Sequence, residues 1–476
     1  MSEKLLFGRL EEQQILLDYC NTSSSEMIAI VGRRRIGKTY LIRRALEGKI
    51  DFEITGFQKA TKKEQLQNFI ISLSNFTSTA MITQQPKNWL EAFYQLKQYL
   101  INKKGKEKKV IFIDELPWIA TPKSGFVQAL AHFWNDWASE NNVLVIICGS
   151  AASWMLKNVV NNKGGLHNRI HQTLYIKPFT LNETKLFLEG NKIKATDYQI
   201  MQLYMTLGGI PYYLSLLEKG KSIAQNIDDL LFDPNGKLVN EYDNIFLSLF
   251  DKASRHTGLI QILSGKWKGF TRTEIANLFK GKDGGFLSET LEELTLSGFV
   301  TKYVGFQKSA KDALYRLTDP YLLFYLKYLR RKNINTSYIE LMKTQSYKAW
   351  CGYAFENLCL YHLPQIYKYL RITKLAPYAS SFFYAGNKTK NGFQIDLLID
   401  RADGVINLCE IKFYENQFSI DKAYEKLLLQ RYEDFIALSK TKKTVYITMI
   451  VNNSIVKNAQ SKNCIDKEIT CADLFR

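Results

Sequence analysis

Ile28-Ala29-Ile30-Val31-Gly32-Arg33-Arg34-Arg35-Ile36-Gly37-Lys38-Thr39 is the stretch that decides the fold. The apolar run Ile28 to Val31 reads as a buried strand, and the residues after Thr39, YLIRRALEGK, have a helical pattern. Between them stands GxxxxGK followed by Thr, in the strand–loop–helix context that this phosphate loop requires. Glycines let successive backbone N–H groups wrap phosphate oxygens, and the helix N-terminus adds positive potential. Lys38 is expected to reach the β and γ phosphates, and the Thr39 hydroxyl to ligate Mg²⁺. The eight residues Gly32 to Thr39 therefore predict ATP and Mg²⁺ as cofactors.

Working outward, Val110-Ile111-Phe112-Ile113 reads as a buried parallel strand with Asp114 and Glu115 at its C-terminal end. Open α/β sheets bind ligands at that end. Asp114 is placed to order Mg²⁺, and Glu115 to polarise the attacking water. A third strand, Val143 to Cys148, ends in Gly149-Ser150, and Ser150 is a candidate sensor of the γ-phosphate. Arg169, after a glycine-containing loop, reads equally as an arginine finger or as a surface arginine. A finger acting in trans would imply a homo-oligomer.

The chain has 476 residues, enough for about three domains. Lys and Arg outnumber Asp and Glu by 64 to 46, which favours a polyanionic partner, most often nucleic acid. Seven cysteines without a CxxC pair, and five histidines without metal spacing, point to reduced thiols in a cytoplasm and not to zinc. No apolar run reaches the ~18 residues of a membrane span, so no membrane partner is expected.

Leu6-Phe7-Gly8-Arg9-Leu10-Glu11-Glu12 and Gly208-Gly209-Ile210-Pro211, with the strand order, resemble AAA+-related signalling ATPases of the STAND and origin-recognition type. The resemblance implies that Gly8, Arg9 and Glu12 frame the adenine and that Pro211 closes over it from a helical lid. More narrowly, DELPW at 114–118, HFWNDWAS at 132–139 and YRLTDPYLLFYL at 315–326 look like the archaeal-type ATPase family, over essentially the whole chain.

The expected layout is α/β throughout. An AAA+-like P-loop core spans 1–180, a helical lid 181–241, a winged helix 242–320, a basic helical connector 321–345 and a last α/β domain 346–476. The winged-helix reading rests on a capping box at Thr271/Glu274, a second helix from Leu287 to Ser297, and two β-rich runs, Phe299 to Phe306 and Ala313 to Leu317. Residues 301–350 carry ten Lys/Arg against three Asp/Glu. The second helix carries Glu289, Glu292 and Glu293, which disfavours contact with phosphates, so structural and DNA-binding roles stay open.

In the last domain, a helix around Glu356 precedes short strands: Phe393 to Ile399, containing Asp396, and Val405 to Phe413, containing Glu410-Ile411-Lys412. A helix, Ile420 to Leu438, and a strand, Thr444 to Val451, follow. Period-2 alternation puts Glu410 and Lys412 on one strand face, where two carboxylates can hold Mg²⁺ and Lys412 can position water. This order, with Asp…Glu-x-Lys, resembles the PD-(D/E)xK superfamily of restriction-endonuclease-like folds, although Gln394-Ile395 stands where the motif has proline. The resemblance implies Glu356, Asp396 and Glu410 as metal ligands and Gln430 as a substrate-side residue. Two functions follow: an ATPase coupled to a Mg²⁺-dependent nuclease acting on DNA rather than RNA, or an ATP switch whose C-terminal domain only binds a nucleic-acid or protein partner.

Overall fold

The structure is a computed structural model that describes residues 6–77, 85–103, 107–161, 166, 168–250, 253–279, 284–330, 336–387 and 391–476. Most of the turn GKDGG, the loop before Arg169 and residues 331–335 of the expected connector lie outside them. The chain divides into two compact units, one of residues 1–178 with 248–251, the other of residues 179–247 with 252–476.

The first unit is built on five parallel strands: β1 (Glu26–Val31), β2 (Ile50–Thr55), β3 (Lys109–Asp114), β4 (Val143–Gly149) and β5 (Gln172–Tyr175). They lie in the order β2-β3-β4-β1-β5. All six residues of β1 are buried, as a parallel strand covered on both faces requires. Alternation sends Ile28, Ile30, Phe112 and Ile146 to one face, where they pack with Leu16, Leu41 and Ile42. It sends Met27, Val31, Ile113 and Ile147 to the other, against helices Lys62–Phe76, Trp89–Asn102 and Phe126–Asp136. Trp89 anchors that layer, with its ring 5.9 Å from Phe69 and 4.7 Å from Phe126. Because β4 lies between β1 and β3, the phosphate loop and the Asp114 end of β3 open on the same edge, one strand apart.

The second unit begins with helices Leu181–Gly190 and Asp197–Leu207, each opened by a capping box. Helices Ala253–Leu263, Arg272–Leu278 and Gly285–Leu296 follow, with β6 (Phe270–Thr271), β7 (Val300–Tyr303) and β8 (Leu314–Leu317) in an antiparallel sheet of order β6-β8-β7. The capping box at Thr271/Glu274 forms as read from the sequence. The segment expected as a basic connector starts on buried residues. Tyr321, Leu322, Leu323 and Phe324 are buried, and the Tyr321 hydroxyl donates to the Leu238 carbonyl at 2.9 Å. The apolar run Tyr321 to Phe324, ahead of the first lysine of the segment at Lys327, drives that burial.

Helix Gln345–Tyr361 leads into a mixed sheet of β9 (Tyr378–Tyr384), β10 (Phe393–Asp400), β11 (Val405–Lys412), β12 (Thr444–Val451) and β13 (Lys467–Thr470), ordered β13-β12-β11-β10-β9. β9, β10 and β11 are antiparallel neighbours, and β11, β12 and β13 run parallel, with helix Lys422–Ser439 crossing from β11 to β12. The register of β10 against β9 shifts between Ile395 and Leu398, so Asp396 sits at a β-bulge, a device that re-aims side chains. His362 ties this part to the first helices of the unit: its Nε2 accepts from the Leu181 N–H at 2.9 Å, and its ring lies 5.3 Å from Tyr204. None of the seven cysteines is bridged. No helix among the described residues is long and apolar enough to cross a membrane.

Candidate functional site

The phosphate loop leaves β1 through Gly32, where an added Cβ would stand 2.7 Å from the Ile176 carbonyl oxygen, so only glycine fits. Arg35 takes φ 69° and Gly37 φ 85°, two left-handed residues before helix Lys38–Ala45 begins. Lys38 is 6% exposed, and its Nζ donates to the carbonyls of Gly32 at 2.7 Å and Arg33 at 3.0 Å. Arg33 is buried, whereas Arg34 and Arg35 are half-exposed. The Thr39 hydroxyl donates to Asp114 Oδ2 at 2.7 Å. Asp114 is 3% exposed, and its other oxygen accepts the Glu115 N–H at 3.0 Å.

Glu115 adopts φ 48°, a left-handed conformation for a non-glycine residue, and such strain gathers at functional sites. Its Oε2 accepts from the Ser150 N–H at 3.1 Å and from the Ser150 hydroxyl at 2.8 Å. The Walker-type strand end and the third strand end, separate in sequence, are thus one hydrogen-bonded unit. Gly56 was not singled out by the sequence reading. Its N–H donates to the Asp114 carbonyl at 2.9 Å, and a Cβ there would stand 2.7 Å from the Glu115 carbonyl oxygen. No spacing rule marks such a glycine, because the contact is made across the sheet.

Arg9 is 4% exposed, and its guanidinium donates to the carbonyls of Ile36 at 3.2 Å and Lys177 at 2.6 Å, with Glu12 at 3.5 Å. It braces the phosphate loop against the chain leaving β5. Gly8 takes φ 65°, and its carbonyl accepts from Gln13 Nε2 at 2.7 Å. Arg9→Ala is expected to destabilise the protein by about 2 kcal/mol, the loss of charge-assisted bonds to buried carbonyls. A shift of the urea midpoint checks this, and an unchanged midpoint overturns the bracing role. Arg169 Nε donates to Asn135 Oδ1 at 2.8 Å on the surface of helix Phe126–Asp136.

In the second unit, Pro211 opens the short helix Pro211–Leu214. Gly209 ahead of it is required by packing: its carbonyl accepts the Phe179 N–H at 2.6 Å, and a Cβ would stand 2.0 Å from the Phe179 carbonyl oxygen.

The C-terminal residues lie in one electrostatic neighbourhood. Glu410 is 2% exposed and its oxygens are occupied by Lys412 Nζ at 2.8 Å, Arg431 Nη1 at 3.0 Å and the Tyr424 hydroxyl at 2.7 Å. Burial pushes its carboxyl up, but Lys412 and Arg431 outweigh that and hold it below the usual range. Burial, then the Glu410 charge, pushes Asp396 up to about 6. Burial, then Asp396, pushes Glu356 up to about 8, with Arg316 opposing. Arg431 and Tyr424, one helical face of Lys422–Ser439, were missed by the sequence reading. Gln430, which it named, donates instead to Asp434 on its own helix at 2.9 Å. No three His, Cys, Asp or Glu gather as a metal shell among the described residues. The Glu410 oxygens are taken by two cations and a hydroxyl, so a divalent ion held by the expected set Glu356, Asp396 and Glu410 would have to displace them.

A buried parallel sheet, a phosphate loop at a helix N-terminus and an Asp-Glu pair at a neighbouring strand end define a P-loop ATPase domain. Residues 6–217 match the family described as an ATPase domain predominantly from Archaea. An uncharacterized protein of Methanocaldococcus jannaschii is 24% identical over 451 residues, 91% of this chain and 95% of its own length, so the similarity runs well beyond the ATPase domain. Among solved structures, a Walker-type ATPase of Pyrococcus abyssi is 16% identical at a TM-score of 0.48, covering 68% of this chain and 96% of that one. The ORC2 protein of Aeropyrum pernix in ADPNP–ADP complexes is 13% identical at a TM-score of 0.42, covering 68% and 95%. Both scores fall below 0.5 and say nothing of function.

Proposed function

We propose that the chain is an ATP-hydrolysing switch of the AAA+-related, STAND-like type that acts on nucleic acid, DNA before RNA, in the cytoplasm. One observation supports it above others: Thr39, Asp114, Glu115 and Ser150 form a single hydrogen-bonded chain at the edge of the parallel sheet, beside Lys38 held in the phosphate loop. The Thr39 hydroxyl and the Asp114 carboxylate fit a hard cation's preference for oxygen. These two residues would hold Mg²⁺, which would offset phosphate charge. Lys38 binds the phosphates, Glu115 accepts a proton from water, and Ser150 holds Glu115 in place. A γ-phosphate that competes for Ser150 would release Glu115 toward water. Arg169 is a candidate finger supplied between copies of the chain.

The five-part division of the chain belongs to this reading, with residues 242–320 as a winged helix and 346–476 as a restriction-endonuclease-like fold. The helices and the β6-β8-β7 sheet support the first, and the bulged β10 beside β11, with the crossover helix, supports the second. The net charge of +18 supports a polyanionic partner. The ion-paired state of Glu410 favours binding without cleavage. The second reading, a Mg²⁺-dependent nuclease, is favoured by a run of close carboxylates, Glu410 raising the proton affinity of Asp396 and Asp396 that of Glu356.

The test is to measure ATP turnover with and without single- and double-stranded DNA and RNA, and to run the same mixtures with Mg²⁺ or Mn²⁺ on a gel. Stimulated turnover with intact nucleic acid is expected. Metal-dependent cleavage that is lost in Asp396→Ala and Lys412→Ala, with ATPase retained, would establish the nuclease instead. Turnover indifferent to every nucleic acid, with none bound, would overturn both.

A further inference from the structure

Within the second unit, a cavity of about 270 Å³ lies between the β6-β8-β7 sheet and the β9–β10 side of the mixed sheet. Arg316 on β8 lines it at 7% exposure, its guanidinium 4.8 Å above the Trp267 ring. Its Nε and Nη2 have no hydrogen-bond partner among the described residues. Burial disfavours its charge, and Glu356 offsets part of that cost. A buried guanidinium with two donors unpaired is expensive, so it marks a place where a ligand supplies acceptors.

The opposite wall carries the complement. Ser380 Oγ, Asn357 Oδ1 and Gln394 Oε1 line the same cavity and are also unpartnered among the described residues. Lys268, its Nζ over the ring of Phe383 across from Gln394, adds a second cation, and Asp396 is the one lining carboxylate. Unpaired donors beside cations suit a phosphate, and unpaired acceptors suit the amino or hydroxyl groups of a base or sugar.

We propose that this cavity binds one nucleotide unit, its phosphate on Arg316 and Lys268 and its base or sugar edge on Asn357 and Gln394. The volume holds about nine waters at ~30 Å³ each, room for one nucleotide and not for a duplex. The unit is either the 5′-phosphorylated end of a single strand or a free nucleoside monophosphate. The strand alternative rests on the nucleic-acid reading above; the free nucleotide does not.

The experiment uses the full chain and fluorescence anisotropy. The probes are a labelled single strand with a 5′-phosphate, the same strand without it, and a blunt duplex, each also competed with AMP. The 5′-phosphate is expected to tighten binding about 10-fold, and Arg316→Gln to remove that gain, as loss of a charge-assisted bond predicts. Lys268→Glu, on an exposed position, is expected to weaken the phosphorylated strand and to reduce the slope of log affinity on log salt by about one or more. Thermal melting checks folding, and should Arg316→Gln fail to fold, Lys268→Glu carries the test. AMP binding that is lost in these variants, without strand binding, supports the cavity with a free nucleotide and removes the strand. Strand binding by the wild type that is equal in the variants, and indifferent to the 5′-phosphate, overturns the cavity but leaves the nucleic-acid reading standing. Binding of no probe overturns both.

Discussion

In Lys38→Ala, ATP hydrolysis falls by at least about 100-fold, the scale on which enzymes lose rate when one preorganised charge at the reacting group is removed. Nucleotide affinity falls with it, because the ammonium faces bound phosphate in the ground state as well. The geometry makes the effect local. Lys38 Nζ is held inside the loop by the carbonyls of Gly32 and Arg33, so the charge already stands where the phosphates are wrapped. Alanine has a high helix propensity, so the helix starting at Lys38 persists. Phosphate release and equilibrium binding of a fluorescent ATP analogue measure the two losses. Hydrolysis at the wild-type rate would remove the phosphate-loop assignment.

Glu115→Gln is expected to separate binding from turnover. ATP remains bound, while the hydrolysis rate falls about 10²- to 10⁴-fold, the range for a lost general base. The amide keeps the shape of the side chain and one oxygen, which can still accept from the Ser150 N–H and hydroxyl. It cannot accept a proton from water. Single-turnover hydrolysis with pre-bound ATP isolates the chemical step. A variant that binds no ATP would show Glu115 to be a structural strut between β3 and β4 instead.

The sequence by itself determined what short-range chain geometry controls. A glycine-framed loop between an apolar run and a helix has only a few ways to turn, so Gly32 to Thr39 announced a phosphate cradle without reference to any other part of the chain. Alternation along β11 likewise placed Glu410 and Lys412 on one face, and they form an ion pair at 2.8 Å. The capping box at Thr271/Glu274 was readable for the same reason, since both partners lie within one helical turn.

Only the tertiary structure decided which of these groups are neutralised and by what. Arg431 lies 21 residues beyond Glu410 and reaches it because helix Lys422–Ser439 crosses back over the sheet, so Arg431 rather than its neighbour Gln430 faces the site. Arg316 stands 80 residues before Asp396, was legible only as one charge in a basic segment, and becomes a buried cation at a cavity wall through packing of two sheets. Gly56 acquires its requirement for glycine from a contact with the next strand. Desolvation and counter-charge depend on what packs against a group in space, and spacing along the chain carries no record of that. Motif geometry was therefore legible, while the electrostatic state of the C-terminal site was set by the fold.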